Sequence, residues 1–152
     1  VPLNAFTREP IPFRHVNGGP SGLFLDLVHV FTVVEVDQHR IPRQWRTTTL
    51  MYEYRLLDRD MRELLVYHWQ PGSSHRGPDH PHLHVSASLN ARVDARSDQQ
   101  IGLDKLHLPT GRVSFESVVR MVIEEFGIAP RRNDWRETLD RTESVFHQHG
   151  RH

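Results

Sequence analysis

Strand-like runs of hydrophobic residues recur along this chain before residue 113, and a helical period follows from Ser114. Residues 23–36, LFLDLVHVFTVVEV, are rich in β-branched and aromatic side chains and predict a long strand covered on both faces near its middle. Asp26 and His29 interrupt it. Three positions apart, they fall on opposite faces and are not partners unless a bulge intervenes. His29 reads as a core histidine with one hydrogen bond. A second strand follows over 45–57, with Leu50, Tyr52, Tyr54 and Leu56 on one face and Thr49, Met51, Glu53 and Arg55 on the other. Asp58-Arg59-Asp60 turns the chain into a third strand over 62–70, closed by His68 and Trp69, so the two form a hairpin. The turn-rich PGSSHRGPD at 71–79 leads into a fourth strand that continues to Leu89. Residues 90–101 show no clear period, and 103–108 predict a short fifth strand carrying His107.

From Ser114 to Phe126 the period changes. Phe115, Val118, Val119, Val122, Ile123 and Phe126 form one helical stripe. Ser114 is positioned as N-cap, Val113 and Val118 as a hydrophobic staple, and Gly127 as a left-handed stop before Pro130. A second helix starts at Asp134, with Glu137 as its capping-box partner and Trp135, Leu139, Thr142 and Phe146 facing the sheet. Strands first and helices last give an α+β fold: a four- to five-stranded, mostly antiparallel sheet followed by two C-terminal helices packed on one face. The fold occupies residues 23–147 as a single domain. Residues 1–22, with Pro2, Pro10, Pro12 and Pro20, predict an extended N-terminal arm on which Arg8 and Arg14 are solvated, and 148–152 predict a frayed tail.

Charge narrows the function only a little. Nineteen basic residues cancel nineteen acidic ones over 152 residues, so net charge gives no argument for nucleic-acid or membrane binding. Cysteine is absent, which removes thiolate zinc sites and cysteine nucleophiles and fits a reducing cytosol. No apolar run approaches the ~20 residues of a membrane span, and the first residues lack the layout of a signal peptide. The expected location is cytoplasmic, with no membrane partner. Twelve histidines are the anomaly.

Three of them stand in Gly77-Pro78-Asp79-His80-Pro81-His82-Leu83-His84-Val85-Ser86 at alternate positions. Alternation on a strand places His80, His82 and His84 on one face, about 6.5–7 Å apart, and sends Pro81, Leu83, Val85 and Ala87 to the other. Two chemistries follow. In the first, His80, His82, His84 and His107 are nitrogen ligands for a divalent transition metal such as zinc, with Asp79 able to add an oxygen. The cupin fold uses such a His-x-His strand but follows it with a glutamate, and Val85-Ser86-Ala87-Ser88 offers none. In the second, His82 and His84 are an acid–base pair near neutral pH, and an arginine stabilises the charge on a reacting phosphate. Arg76 is near in sequence, and Arg55 and Arg112 are candidates from elsewhere; Arg76 and Arg112 are the expected phosphate contacts. RNA carries its own 2′-hydroxyl nucleophile, so this machinery needs no metal.

His80-Pro81-His82-Leu83-His84-Val85-Ser86 is similar to the motif of the histidine-triad nucleotide hydrolases, which implies that His82 attacks an α-phosphate. Pro81 and Ser86 depart from that motif, and two helices follow it. Over roughly residues 45–127 the order of elements resembles the TumE-type family of small bacterial toxin–antitoxin toxins. The matching features are the hairpin MYEYRLLDRD…ELLVYHW, then Gly77, Asp79, His80, His82 and His84, then the Ser114-capped helix to Phe126. That resemblance implies a toxin acting on RNA, with a cognate antitoxin as partner. The functional expectation is a toxin-like or defence-associated prokaryotic protein acting on RNA or nucleotides as a histidine-dependent ribonuclease or phosphodiester hydrolase. Alternatives are a metal-binding domain and a histidine-triad-like nucleotide hydrolase.

Overall fold

The computed structural model describes residues 2–36, 42, 44–72, 77–86, 91–94, 99–101 and 108–149. Its elements are β1 (Leu3–Phe6), β2 (Ile11–Arg14), β3 (Pro20–Glu35), β4 (Trp45–Leu57), β5 (Glu63–Trp69), β6 (His82–Val85), β7 (Ala91–Asp94), β8 (Gln99–Ile101), β9 (Leu108–Pro109), α1 (Phe115–Glu124) and α2 (Trp135–His149). The main sheet is antiparallel, ordered β1-β3-β4-β5-β6-β9, with β2 pairing β3 as well. The fold is α+β as expected, with seven strands in that sheet rather than four or five.

Two of the additional strands come from the segment read as an arm. β1 and β2 lie in succession along the free edge of β3, Phe6 opposite Val28 and Ile11 opposite Leu25. Pro12 sits in β2 without harm, because an edge strand has one side where no amide is needed. Within the excursion at 90–101, β7 and β8 pair as a ribbon outside the main sheet. The fifth strand expected at 103–108 lies, except for Leu108, outside the described residues; Leu108–Pro109 pairs with β6.

β4 and β5 form the expected hairpin. The Asp58 carboxylate closes its turn by accepting from the amides of Asp60 (2.8 Å) and Arg62 (3.0 Å) and from the Arg62 side chain (2.8 Å). These bonds, the Arg62 backbone amide first, hold the Asp58 carboxyl below its usual pKa. The pairing puts Tyr52, Tyr54 and Leu56 on one face, where Leu25 joins them and α1 supplies Val118 and Val122. Tyr52 and Tyr54 stack at 4.8 Å between ring centroids with planes 7° apart. Burying two large flat rings side by side is what holds the helix layer to the middle of the sheet.

Ser114 caps α1 as its sequence position implies, its Oγ accepting from the Ser117 amide at 2.9 Å. It also donates to Glu143 of α2 (2.5 Å), as does the Ser117 hydroxyl, and Arg120 pairs with Glu143 and Asp140. One carboxylate thus ties the start of α1 to the middle of α2. The Ser114 and Ser117 hydroxyls and Arg120 hold its pKa down. Gly127 ends the helix at φ 63°, and any Cβ there would meet His15 Nε2 at 2.9 Å. α2 starts one residue after Asp134, whose carboxylate is taken by Arg132. It runs on to His149, so the first two residues read as a frayed tail are helical. No helix among the described residues is long and apolar enough to cross a membrane.

Candidate metal centre

The face of the sheet away from the helices carries the histidines. β5 and β6 pair with Tyr67 opposite Leu83 and His68 opposite His82. Tyr67 packs on the helix-side core, so the residues on either side of it in β5, Val66 and His68, turn the other way. Leu83 does the same for β6, and His82 and His84 join His68. Alternation alone therefore assembles three imidazoles from two adjacent strands. Ring centroids are 5.1 Å apart for His68 and His82, 4.8 Å for His82 and His84, and 6.5 Å for His68 and His84. One nitrogen from each ring lies within 4.8 Å of one from each of the others.

His82 is the buried member, 2% exposed, while His68 and His84 are half-buried. Its Nδ1 lies 2.9 Å from the backbone oxygen of His80. A carbonyl oxygen can only accept, so Nδ1 carries the proton there and donates it. Metal-binding histidines are commonly fixed this way, one nitrogen donating to a carbonyl so that the other is aimed and made more basic.

The donor set fits a metal. Nitrogen ligands at about 2.0–2.1 Å from a tetrahedral zinc lie roughly 3.3 Å from one another. Closing the observed 4.8 Å to that separation asks each ring for a shift of under about 1 Å, the scale of a small side-chain rotation. Three neutral nitrogens suit zinc and the other borderline divalent metals better than calcium or magnesium, which prefer oxygen.

The sequence singled out six residues, and the structure brings two of them together. His82 and His84 converge. The His80 ring is exposed and stands 6.1 Å from His82 between centroids, outside the group. β6 begins only at His82, after Pro81, which has no amide to give a ladder; the contribution of His80 is its carbonyl. Asp79 closes the preceding loop, its carboxylate accepting from the Gly72 amide and its backbone oxygen from the Trp69 indole. Arg76 and His107 lie outside the described residues.

Arg112 is on the other side of the sheet. Its guanidinium rests 4.5 Å from the ring centroid of Trp69, which is adjacent to His68 in sequence and therefore opposed to it in direction. Arg55 does share the histidine face, where the register Arg55–Val66–His84 runs across it. Carboxylates occupy it, however: Asp26 at 2.6 Å, Glu53 at 3.3 Å and Glu63 at 3.7 Å.

His68 is the functional candidate the sequence reading passed over. It reads as the end of a strand, and its partner becomes visible only once the β5–β6 register is known. A lone histidine at a face position of the strand next to a His-x-His strand is the signal that would find it.

Family models, curated proteins and solved structures give no match to this chain.

Proposed function

We propose that this chain is a metal-binding α+β domain in which His68, His82 and His84 hold one divalent transition metal, zinc being the first candidate. The observation that carries this reading is the convergence of three imidazoles from two paired strands, one nitrogen of each within 4.8 Å of the others, around a buried His82 whose Nδ1 meets the His80 carbonyl. Three protein nitrogens leave a fourth position for water or substrate, and a metal so held supplies Lewis-acid chemistry and lowers the pKa of bound water.

Metal-free acid–base chemistry on RNA or nucleotides draws on the same histidines but needs a free cation beside them. Among the described residues, Arg112 faces away and Arg55, which shares their face, is already paired with three carboxylates; Arg76 lies outside the described residues. That is why the metal reading is preferred to a ribonuclease-like toxin.

The test is elemental analysis of protein purified without an affinity tag, loaded with zinc and dialysed. One equivalent of zinc is expected to remain in the wild type, and less than about a tenth of that in a His82→Ala/His84→Ala double variant. Wild-type protein that retains no metal would remove the proposal. If the metal-free wild type also arrests growth on expression and the double variant does not, the toxin reading takes its place.

A further inference from the structure

The helix side of the sheet holds a second feature that the histidine centre does not use. A cavity of about 670 Å³ opens where β3 and β4 pass under α2, within the range of small-molecule sites. Phe31, Trp45, Phe115 and Phe146 give it apolar walls. Arg112, Arg46, His29, Tyr54, Glu116 and the threonines of β4 bring polar groups to it.

Arg112 is the unusual member. Its guanidinium lies 4.5 Å from the Trp69 ring centroid and 5.5 Å from that of Phe146. Its Nε is buried with no hydrogen-bond partner, and no carboxylate among the described residues stands within ion-pair distance of it. Stacking uses the faces of a guanidinium and leaves its N–H edges, the fork that matches a carboxylate or phosphate. A half-buried arginine held by rings, with a buried donor unmet and no carboxylate on it among the described residues, has the chemistry to receive an anion.

The surrounding groups set the class of that anion. His29 is already engaged, Nε2 with the Thr49 hydroxyl at 3.0 Å and Nδ1 with the Tyr54 hydroxyl at 3.2 Å. Burial holds its pKa down; Glu116 opposes this and Arg112 reinforces it. Arg112 and the exposed Arg46 against Glu116 leave the cavity one net positive charge, which suits a singly or doubly charged small molecule and disfavours an extended polyanion. The aromatic walls suit a flat apolar body.

We propose that this cavity binds a small organic anion with an aromatic or similarly flat body, its carboxylate or phosphate gripped by Arg112 and its ring held among Phe31, Phe115 and Phe146. The site is independent of the metal centre, because it lies on the opposite face of the sheet.

The probes are benzoate and phenyl phosphate, with neutral benzamide as control, titrated into the full chain and read by tryptophan fluorescence, since Trp69 lies under Arg112 and Trp45 lines the cavity. At least one anion is expected to saturate below about 10 mM. Which one binds identifies the head group as carboxylate or phosphate. Arg112→Lys, which keeps the charge but loses the fork and much of the stacking, is expected to weaken binding about tenfold. His82→Ala is expected to leave it unchanged, so failure of the metal reading and failure of this one are distinguishable. Should Arg112→Lys not fold, amide shifts in the wild type decide. Anion-induced shifts at residues 47–49 and 113–116, with none at 64–68 or 82–85, support the site. No saturation by either anion, benzamide binding as tightly, a fully active Arg112→Lys, or shifts confined elsewhere would overturn it.

Discussion

Zinc at a hundredfold excess over its dissociation constant is expected to raise the melting temperature of this protein by roughly 5–10 °C, and His82→Ala is expected to abolish that rise. The size follows from linkage. A ligand that binds only the folded state at that excess adds about 2.7 kcal/mol, and in a domain of this length each kcal/mol moves the midpoint by about 2–4 °C. His82 is the decisive position because it is 2% exposed, sits between the other two rings and is fixed by its Nδ1 on the His80 carbonyl. The variant's own baseline should also fall, since removing the ring leaves a void and an unpaired carbonyl. The readout is therefore the zinc-induced shift within each protein, measured by scanning calorimetry with and without metal. His68→Ala and His84→Ala, at half-buried positions, are expected to lose the shift with smaller changes in the baseline. A shift that persists in all three variants would place the metal elsewhere.

The largest loss of stability is expected from Tyr52→Ala, about 3–5 kcal/mol in denaturant unfolding. Tyr52 is 1% exposed, stacks on Tyr54 and packs near Trp69 at 6.0 Å between centroids. Its hydroxyl accepts from the Val113 amide at 3.1 Å, just ahead of the Ser114 cap of α1. Truncation removes the ring from the core and the anchor from the start of the helix together. Tyr52→Phe separates the two effects: the ring stays, one amide loses its partner, and the cost is expected to drop to about 1–3 kcal/mol. A Phe variant as damaged as the Ala variant would mean that the hydroxyl, and not the packing, holds the helix layer.

Much of this fold is legible in local pattern. The alternation Leu50, Tyr52, Tyr54, Leu56 and the stripe through Val118 and Val122 each point to a core face, and the faces meet as those periods imply. The row breaks at Leu50, where a β-bulge leaves it opposite no β3 residue: Leu50 is 37% exposed, and Thr49, expected on the other face, meets His29 on the helix side. His29, expected as a core histidine with one hydrogen bond, is half-buried beside the helix-side cavity and makes two side-chain hydrogen bonds. Asp26 and His29 do take opposite faces, Asp26 bonding Thr7 and Arg55 on the histidine side.

What was not legible is register between elements far apart in sequence. The sequence between β5 and β6 is long enough to allow several pairings of the two strands, so nothing local says that His68 faces His82. Nor does anything local say that Arg112, three residues after Pro109 in β9, comes over the helix face rather than the histidine face. β1 and β2 were hidden for a different reason. Prolines mark loops in isolation, and only the presence of a free β3 edge makes such segments into strands.

The most direct measurement of the central claim is anomalous diffraction at the zinc absorption edge from crystals of the tag-free protein soaked in zinc. One strong peak is expected about 2.0–2.1 Å from a ring nitrogen of His82, with nitrogens of His68 and His84 at the same distance. A peak only at exposed histidines such as His80 or His147, or none at all, would contradict it.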